Sequence, residues 1–130
     1  MGLQERQMIR TLTETTLPER EKEIVEICGS SAKYDVAWDT LSSDAAGLNF
    51  LDNVSCHRLN MALRTIAIDP LGKDALRDEL KGVKLVNVAT PADKKIEFKG
   101  GVLEMHCAYA QGLSGAFSDS EIYQVLMKGL

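Results

Sequence analysis

The sequence predicts an α+β fold, with helices first, then a small antiparallel sheet, then a closing helix. Three observations predict it. Residues 1–81 carry apolar side chains at three- and four-residue spacings, punctuated by helix start signals. After Gly82 the pattern turns strand-like and rich in β-branched residues. Near the end, Ser118-Asp119-Ser120-Glu121 has the form of a capping box ahead of a last amphipathic run. With 130 residues, 45% hydrophobic and 26% charged, the chain has the length and composition of one folding domain. The expectation is a single domain over 1–130: a helical part at 1–81 with about four to five helices, then a three-stranded meander and a terminal helix packed on it at 82–130.

Leu3, Met8, Ile9 and Leu12 form a weak first stripe. Thr16-Leu17-Pro18-Glu19 reads as a new start, with a capping threonine, a proline in the first turn and a glutamate three residues on, before Ile24, Ile27 and Cys28. Gly29 supplies a stop. Tyr34, Trp38 and Leu41 stand at i, i+4 and i+7, which predicts a further helix, and Ser42, Ser43, Gly47 and Asn49 mark a break after it. Cys56, Leu59, Leu63 and Ile66 give the strongest helical stripe, over 52–67. Asp69-Pro70 opens another helix whose apolar face is Ala75, Leu76 and Leu80.

Val83 to Val88 reads as a strand that Pro91 prevents from running on. Gly100-Gly101 predicts a two-residue hairpin turn with Lys99 facing Val102, Phe98 facing Leu103, Glu97 facing Glu104, Ile96 facing Met105 and Lys95 facing His106. That register puts Ile96, Phe98, Leu103, Met105 and Cys107 on one face and charged residues on the other. The Glu97/Glu104 clash costs a few tenths of a kcal/mol, small beside burying those side chains. Residues 110–118 read as a loop, and Ile122, Val125, Leu126 and Leu130 make the last helix amphipathic.

Charge and composition exclude several function classes. No apolar run approaches the ~18 residues of a membrane span, so no membrane partner is expected. The start MGLQERQMIR has no apolar stretch behind its arginines, and three cysteines cannot all pair internally; free thiols in the cytoplasm are the expectation. The net charge of −4 lies wholly in residues 1–81, with 10 basic and 14 acidic side chains, whereas 82–130 hold 5 of each. From Tyr34 to His57 there is no Lys or Arg but four Asp, which disfavours nucleic acid as a partner.

Candidate chemistry is sparse. Cys56-His57 and His106-Cys107 offer the residue types of a tetrahedral zinc site. Neighbours on a helix or strand diverge, however, and no C-x₂-C or H-x₃₋₅-H spacing is present. Cys28, Cys56 and Cys107 each lie on an apolar stripe, where a thiol behaves as a small hydrophobe. A Cys107–His57 nucleophile pair would need the fold to join them. Asp35, Asp39 and Asp44 lack a D-x-D-x-D loop. No phosphate-binding or nucleophile-elbow motif occurs, so neither a cofactor nor a catalytic residue is assigned.

Leu17-Pro18-Glu19-Arg20-Glu21-Lys22-Glu23-Ile24, Val36-Ala37 and Val54 through Leu63 together resemble the helix-turn-helix of sigma-factor region 4 and of response regulators. The resemblance spans residues 17–66. It implies a DNA-binding regulator whose last helix enters the major groove with Asn53, Ser55, His57 and Arg58 as contacts.

The leading expectation is a non-catalytic module for protein–protein interaction or self-association, because a small sheet leaves an edge to be paired and a homodimer could complete it. The DNA-binding regulator over 17–66 is one alternative. The other is a small-molecule-binding protein or enzyme with a pocket near the loop 110–118, where Glu104 and His106 share a strand face.

Overall fold

The computed structural model describes residues 2–130 and has the α+β architecture. Its elements are α1 (Leu3–Thr11), α2 (Leu17–Cys28), β1 (Lys33–Val36), α3 (Ala45–Leu51), α4 (Arg58–Ile66), α5 (Pro70–Glu79), β2 (Gly82–Asn87), β3 (Lys95–Lys99), β4 (Val102–Cys107) and α6 (Asp119–Gly129). Among the described residues no helix is long and apolar enough to cross a membrane.

The expected start at Thr16 does not form. Thr16 is helical and its side chain caps nothing, because α1 runs into α2 through a π-helical stretch at Leu12–Thr16. Leu17 N–H bonds back five residues to Leu12 O, just before Pro18, which has no N–H to offer the turn above it. Leu12 and Leu17, both buried, explain the widening: five residues on an α-helix place side chains about 140° apart, and a wider turn brings both to the core. A second π-helical stretch, Asp52–His57, joins α3 to α4. The break expected over Ser42, Ser43, Gly47 and Asn49 forms as a turn at Ser42-Ser43, whereas Gly47 and Asn49 lie inside α3. The helix starts at Ala45, where the Asp44 carboxylate accepts from Gly47 N–H at 2.8 Å; a Cβ at Gly47 would lie 2.7 Å from an oxygen of that carboxylate.

The stripe Tyr34/Trp38/Leu41 is not a helix either. Lys33-Tyr34-Asp35-Val36 is a strand, with Val36 buried and Lys33 and Asp35 exposed, and Trp38–Thr40 is a single 3₁₀ turn. The sheet accordingly has four strands in the order β1-β2-β4-β3 and is mixed: β1, β2 and β4 run parallel and β3 runs antiparallel to β4. The hairpin register is the expected one at all five pairs, Glu97↔Glu104 included, and both turn glycines have positive φ, as a type I′ turn needs. β2, however, pairs with β4 and not with β3. The burial pattern gives the reason: Leu103, Met105 and Cys107 are all at most 1% exposed and take the centre, whereas β3, with Lys95, Glu97 and Lys99, takes the edge.

Helices cover one face of this sheet. Ile24 and Cys28 of α2, Leu59 and Leu63 of α4, and Ile122 and Leu126 of α6 are buried in one core with Val83, Leu85, Leu103 and Met105. The start of α5 is the expected one, with Asp69 accepting from Leu71 N–H and Pro70 in the first turn. The capping box of α6 is also in place, Ser118 and Glu121 bonding each other's backbone N–H.

Candidate functional site

All three cysteines are free and buried. Burial pushes each thiol up, Cys56 to about 12, and the Cys28 thiol donates to Ile24 O. Cys56 lies inside a helix and Cys107 at the end of a central strand. Among the described residues no group of three or more His, Cys, Asp or Glu converges as a metal site would, so Cys56, His57, His106 and Cys107 are not brought together as one. A raised, shielded thiol is a poor nucleophile. The native chain at about pH 8 should therefore leave a chromogenic disulfide reagent almost unreacted for an hour, and denaturing guanidinium should release all three thiols; fast reaction of any one in the native chain would contradict its burial.

The residues implied as DNA contacts do not share one exposed face. Ser55 is fully buried and hydrogen-bonded to the Tyr109 hydroxyl at 2.7 Å. Arg58 donates to Phe117 O at 2.7 Å, His57 is half-buried, and Asn53 is exposed. Where the resemblance implies a middle helix, the chain forms β1 and a 3₁₀ turn.

The three parallel strands end at one rim of the sheet, the location where open α/β sheets usually hold ligands. A cleft of about 310 Å³ lies there between Asp39–Asp44 and Asn87–Ala89, touching Ala110 at its margin. Its wall is wired together by Asn87. The side-chain amide donates to Thr40 O and to Asp44 Oδ2, each at 3.0 Å, and its oxygen accepts from Tyr109 N–H at 3.1 Å. Thr40 Oγ1 accepts from Asn87 N–H and donates to Ala37 O, and Ser42 donates to Asp39 O. These groups bond one another, which makes the cleft a fixed corner joining β1, β2 and α3. The expected pocket near 110–118 is thus met only at Ala110; most of that segment is 3₁₀ turns packed against α3, with Gly112 on the Phe50 ring. Glu104 and His106 do not line the cleft. They bond each other at 2.5 Å on the helix-free face, and that bond is the main cause holding the Glu104 carboxyl below its usual range.

No protein-family model matches the chain, and neither a curated protein nor a solved structure matches it.

The two edges of the sheet differ. Ala37 N–H bonds Leu85 O, so in β1 the alternate peptide groups, those of Tyr34 and Val36, face away from β2. Tyr34 N–H is taken: it donates to Glu21 Oε2 of α2 at 2.8 Å, and Lys33 pairs with the same carboxylate. A helix side chain thus occupies one of the outward groups of β1, while among the described residues nothing bonds the Val36 N–H and C=O. On the other side, Val88 N–H bonds Cys107 O, so Leu103, Met105 and Cys107 direct their peptide groups at β2, and Val102, Glu104 and His106 direct theirs at β3. The partners of those three are Lys99, Glu97 and Lys95. Ile96 and Phe98 therefore point their N–H and C=O outward, and among the described residues nothing bonds them. Their side chains are half-buried towards α6, and Lys95, Glu97 and Lys99 stand on the helix-free face.

Sequence reasoning places these residues on the hairpin with the right facing but misses that β3 is an edge. The signal is present: of the two hairpin strands, β3 is the one flanked by charge at every second position.

Proposed function

We propose that the chain is a non-catalytic protein-binding module of the cytoplasm that accepts an extended strand along β3. One observation carries this reading: β3 offers unpaired peptide groups at both Ile96 and Phe98, whereas at the opposite edge Glu21 already takes the Tyr34 N–H. Strand addition draws its affinity from such backbone groups and its selectivity from the flanking side chains. Here those are Lys95, Glu97 and Lys99 on one face, and Ile96 and Phe98 on the other. Three free, buried thiols are compatible with a reducing compartment.

The amides of Ile96 and Phe98 report on this directly. In the dilute isolated chain both should exchange with solvent quickly, while Met105 on the central strand stays protected. On association, at high concentration or in cell extract, both should become protected at least tenfold. Association that leaves these two amides fast would overturn the reading.

A further inference from the structure

We infer that the strand β3 accepts is β3 of a second copy of this chain, in the antiparallel register centred on Ile96. The inference rests on the open-edge reading above and goes further by naming the partner. Two identical antiparallel edges related by a two-fold axis can meet only in registers that set outward-facing residues opposite one another. For Ile96 and Phe98 the candidates are centred on residue 96, 97 or 98, and charge separates them. The register centred on Glu97 gives the longest overlap but sets Glu97 against Glu97 and Lys95 against Lys99, all like-charged. The one centred on Phe98 pairs Glu97 with Lys99 but places the Gly100-Gly101 turn opposite Ile96 and Lys95, where no strand continues.

The register centred on Ile96 sets no like charges opposite one another and keeps extended backbone opposite Phe98. It sets Lys95 against Glu97 and Glu97 against Lys95, and beyond the strand it brings Asp93, in the 3₁₀ turn Pro91–Asp93, to the side of Lys99. The charges at 93, 95, 97 and 99 alternate as minus, plus, minus, plus, a series that is its own complement about residue 96 and about no other position in β3. Lys94 is already extended, and although its N–H is bonded to Pro91 O, its C=O can accept the Phe98 N–H. The product is an eight-stranded sheet running through two chains, with β1 of each chain at its ends. A two-fold contact uses up β3 of both chains, so this pairing closes at two copies.

Sedimentation of the full chain at low salt tests this. The wild type should dimerise with increasing concentration, and dimerisation should weaken as salt rises. Lys95→Glu and Glu97→Lys, each of which makes like-charged pairs in this register, should each weaken self-association about tenfold. An equimolar mixture of the two variants should restore it: one variant is acidic at both positions 95 and 97 and the other basic at both, so across a mixed dimer every carboxylate faces an ammonium. Unchanged circular dichroism for both variants separates lost pairing from lost folding. A wild type that stays monomeric, a dimer indifferent to both substitutions, or a mixture that fails to recover would each overturn the second copy as partner. If the monomer's Ile96 and Phe98 amides nonetheless become protected in cell extract, strand addition stands with another partner. If a dimer forms while both amides stay fast, strand addition falls as well.

Discussion

Replacing Gly115 with alanine is expected to destabilise the fold by about 3 kcal/mol, enough to lower the midpoint of thermal unfolding by roughly 10 °C in a domain of this size. Gly115 is buried where the segment after β4 folds back on itself, and its carbonyl accepts the Ala108 N–H at 2.8 Å. A Cβ there would lie 2.0 Å from Ala108 O and 2.8 Å from its carbonyl carbon, so backbone and not a flexible side chain must yield. Forcing the two segments apart breaks their hydrogen bond and moves two residues seated by it: Tyr109, fully buried on Ser55, and Phe117, 7% exposed. Gly100→Ala separates crowding from backbone strain. Its Cβ would meet nothing within 4 Å, but its φ is +60°, so only about 1 kcal/mol should be lost. Urea unfolding of the two variants checks the pair. A Gly115→Ala variant within about 1 kcal/mol of the wild type would mean that the turn has slack the packing does not suggest.

The legible elements are those whose instructions are local. Gly100-Gly101 fixes the hairpin because only residues free to take positive φ make a two-residue turn whose twist suits the strands, and the alternation on either side leaves one register. Ser118 and Glu121 bond each other across three residues, and Asp69 reaches only to Leu71, so both helix starts can be read from a few positions. Thr16-Leu17-Pro18-Glu19 looks the same and misleads. There the local signal competes with the need to bury Leu12 and Leu17 together, and a π-helical turn meets that need without ending the helix. β1 is illegible for a related reason: Tyr34, Trp38 and Leu41 fit a helical stripe over eight residues, while the strand that forms is four residues long and is stabilised by pairing with Gly82–Leu85, far away in sequence.

The candidate site is half legible for the same cause. Which side chains share a face of the hairpin follows from a two-residue period. Which strand stands at the edge depends on where β2 inserts, and that is settled by bonds such as Val88 N–H to Cys107 O, between residues that carry no mark of each other. The acidic run from Tyr34 to His57, unsuited to phosphate, supplies caps and anchors of the structure: Asp44 opens α3, and Asp52 ties α3–α4 to α2.

Asp52 gives the second large effect. Arg20 grips it with two parallel bonds, Nε to Oδ1 at 2.8 Å and Nη2 to Oδ2 at 3.0 Å, and Nη1 donates to Glu23 at 2.9 Å. Buried Asn60 of α4 donates to the same Glu23 oxygen at 2.8 Å. One guanidinium therefore holds two carboxylates from two long helices in a site about a fifth to a third exposed. Arg20→Met keeps the length and removes the charge, leaving Asp52 and Glu23 without their cation; the expected cost at neutral pH is about 2–3 kcal/mol, at or below the low end for a fully buried pair because water reaches this one. Arg20→Lys keeps the charge but not the fork and should fall between. The pH dependence follows from Glu23. Burial alone would raise its pKa, but the bonds from Arg20 and Asn60 outweigh burial and hold it below 4.5. A depressed carboxylate adds stability above its unfolded pKa and loses it as pH falls through the folded value. Without Arg20, the largest lowering cause is lost while burial remains, so the Glu23 pKa rises relative to the wild type and protonation then relieves the variant. The deficit of Arg20→Met should thus be full at about pH 6 and above and should shrink below about pH 4.5. Denaturant unfolding of both proteins across that range measures it, and a deficit under about 0.5 kcal/mol at neutral pH, or one that persists undiminished in acid, would show that Arg20 is not what holds the two helices' carboxylates in place.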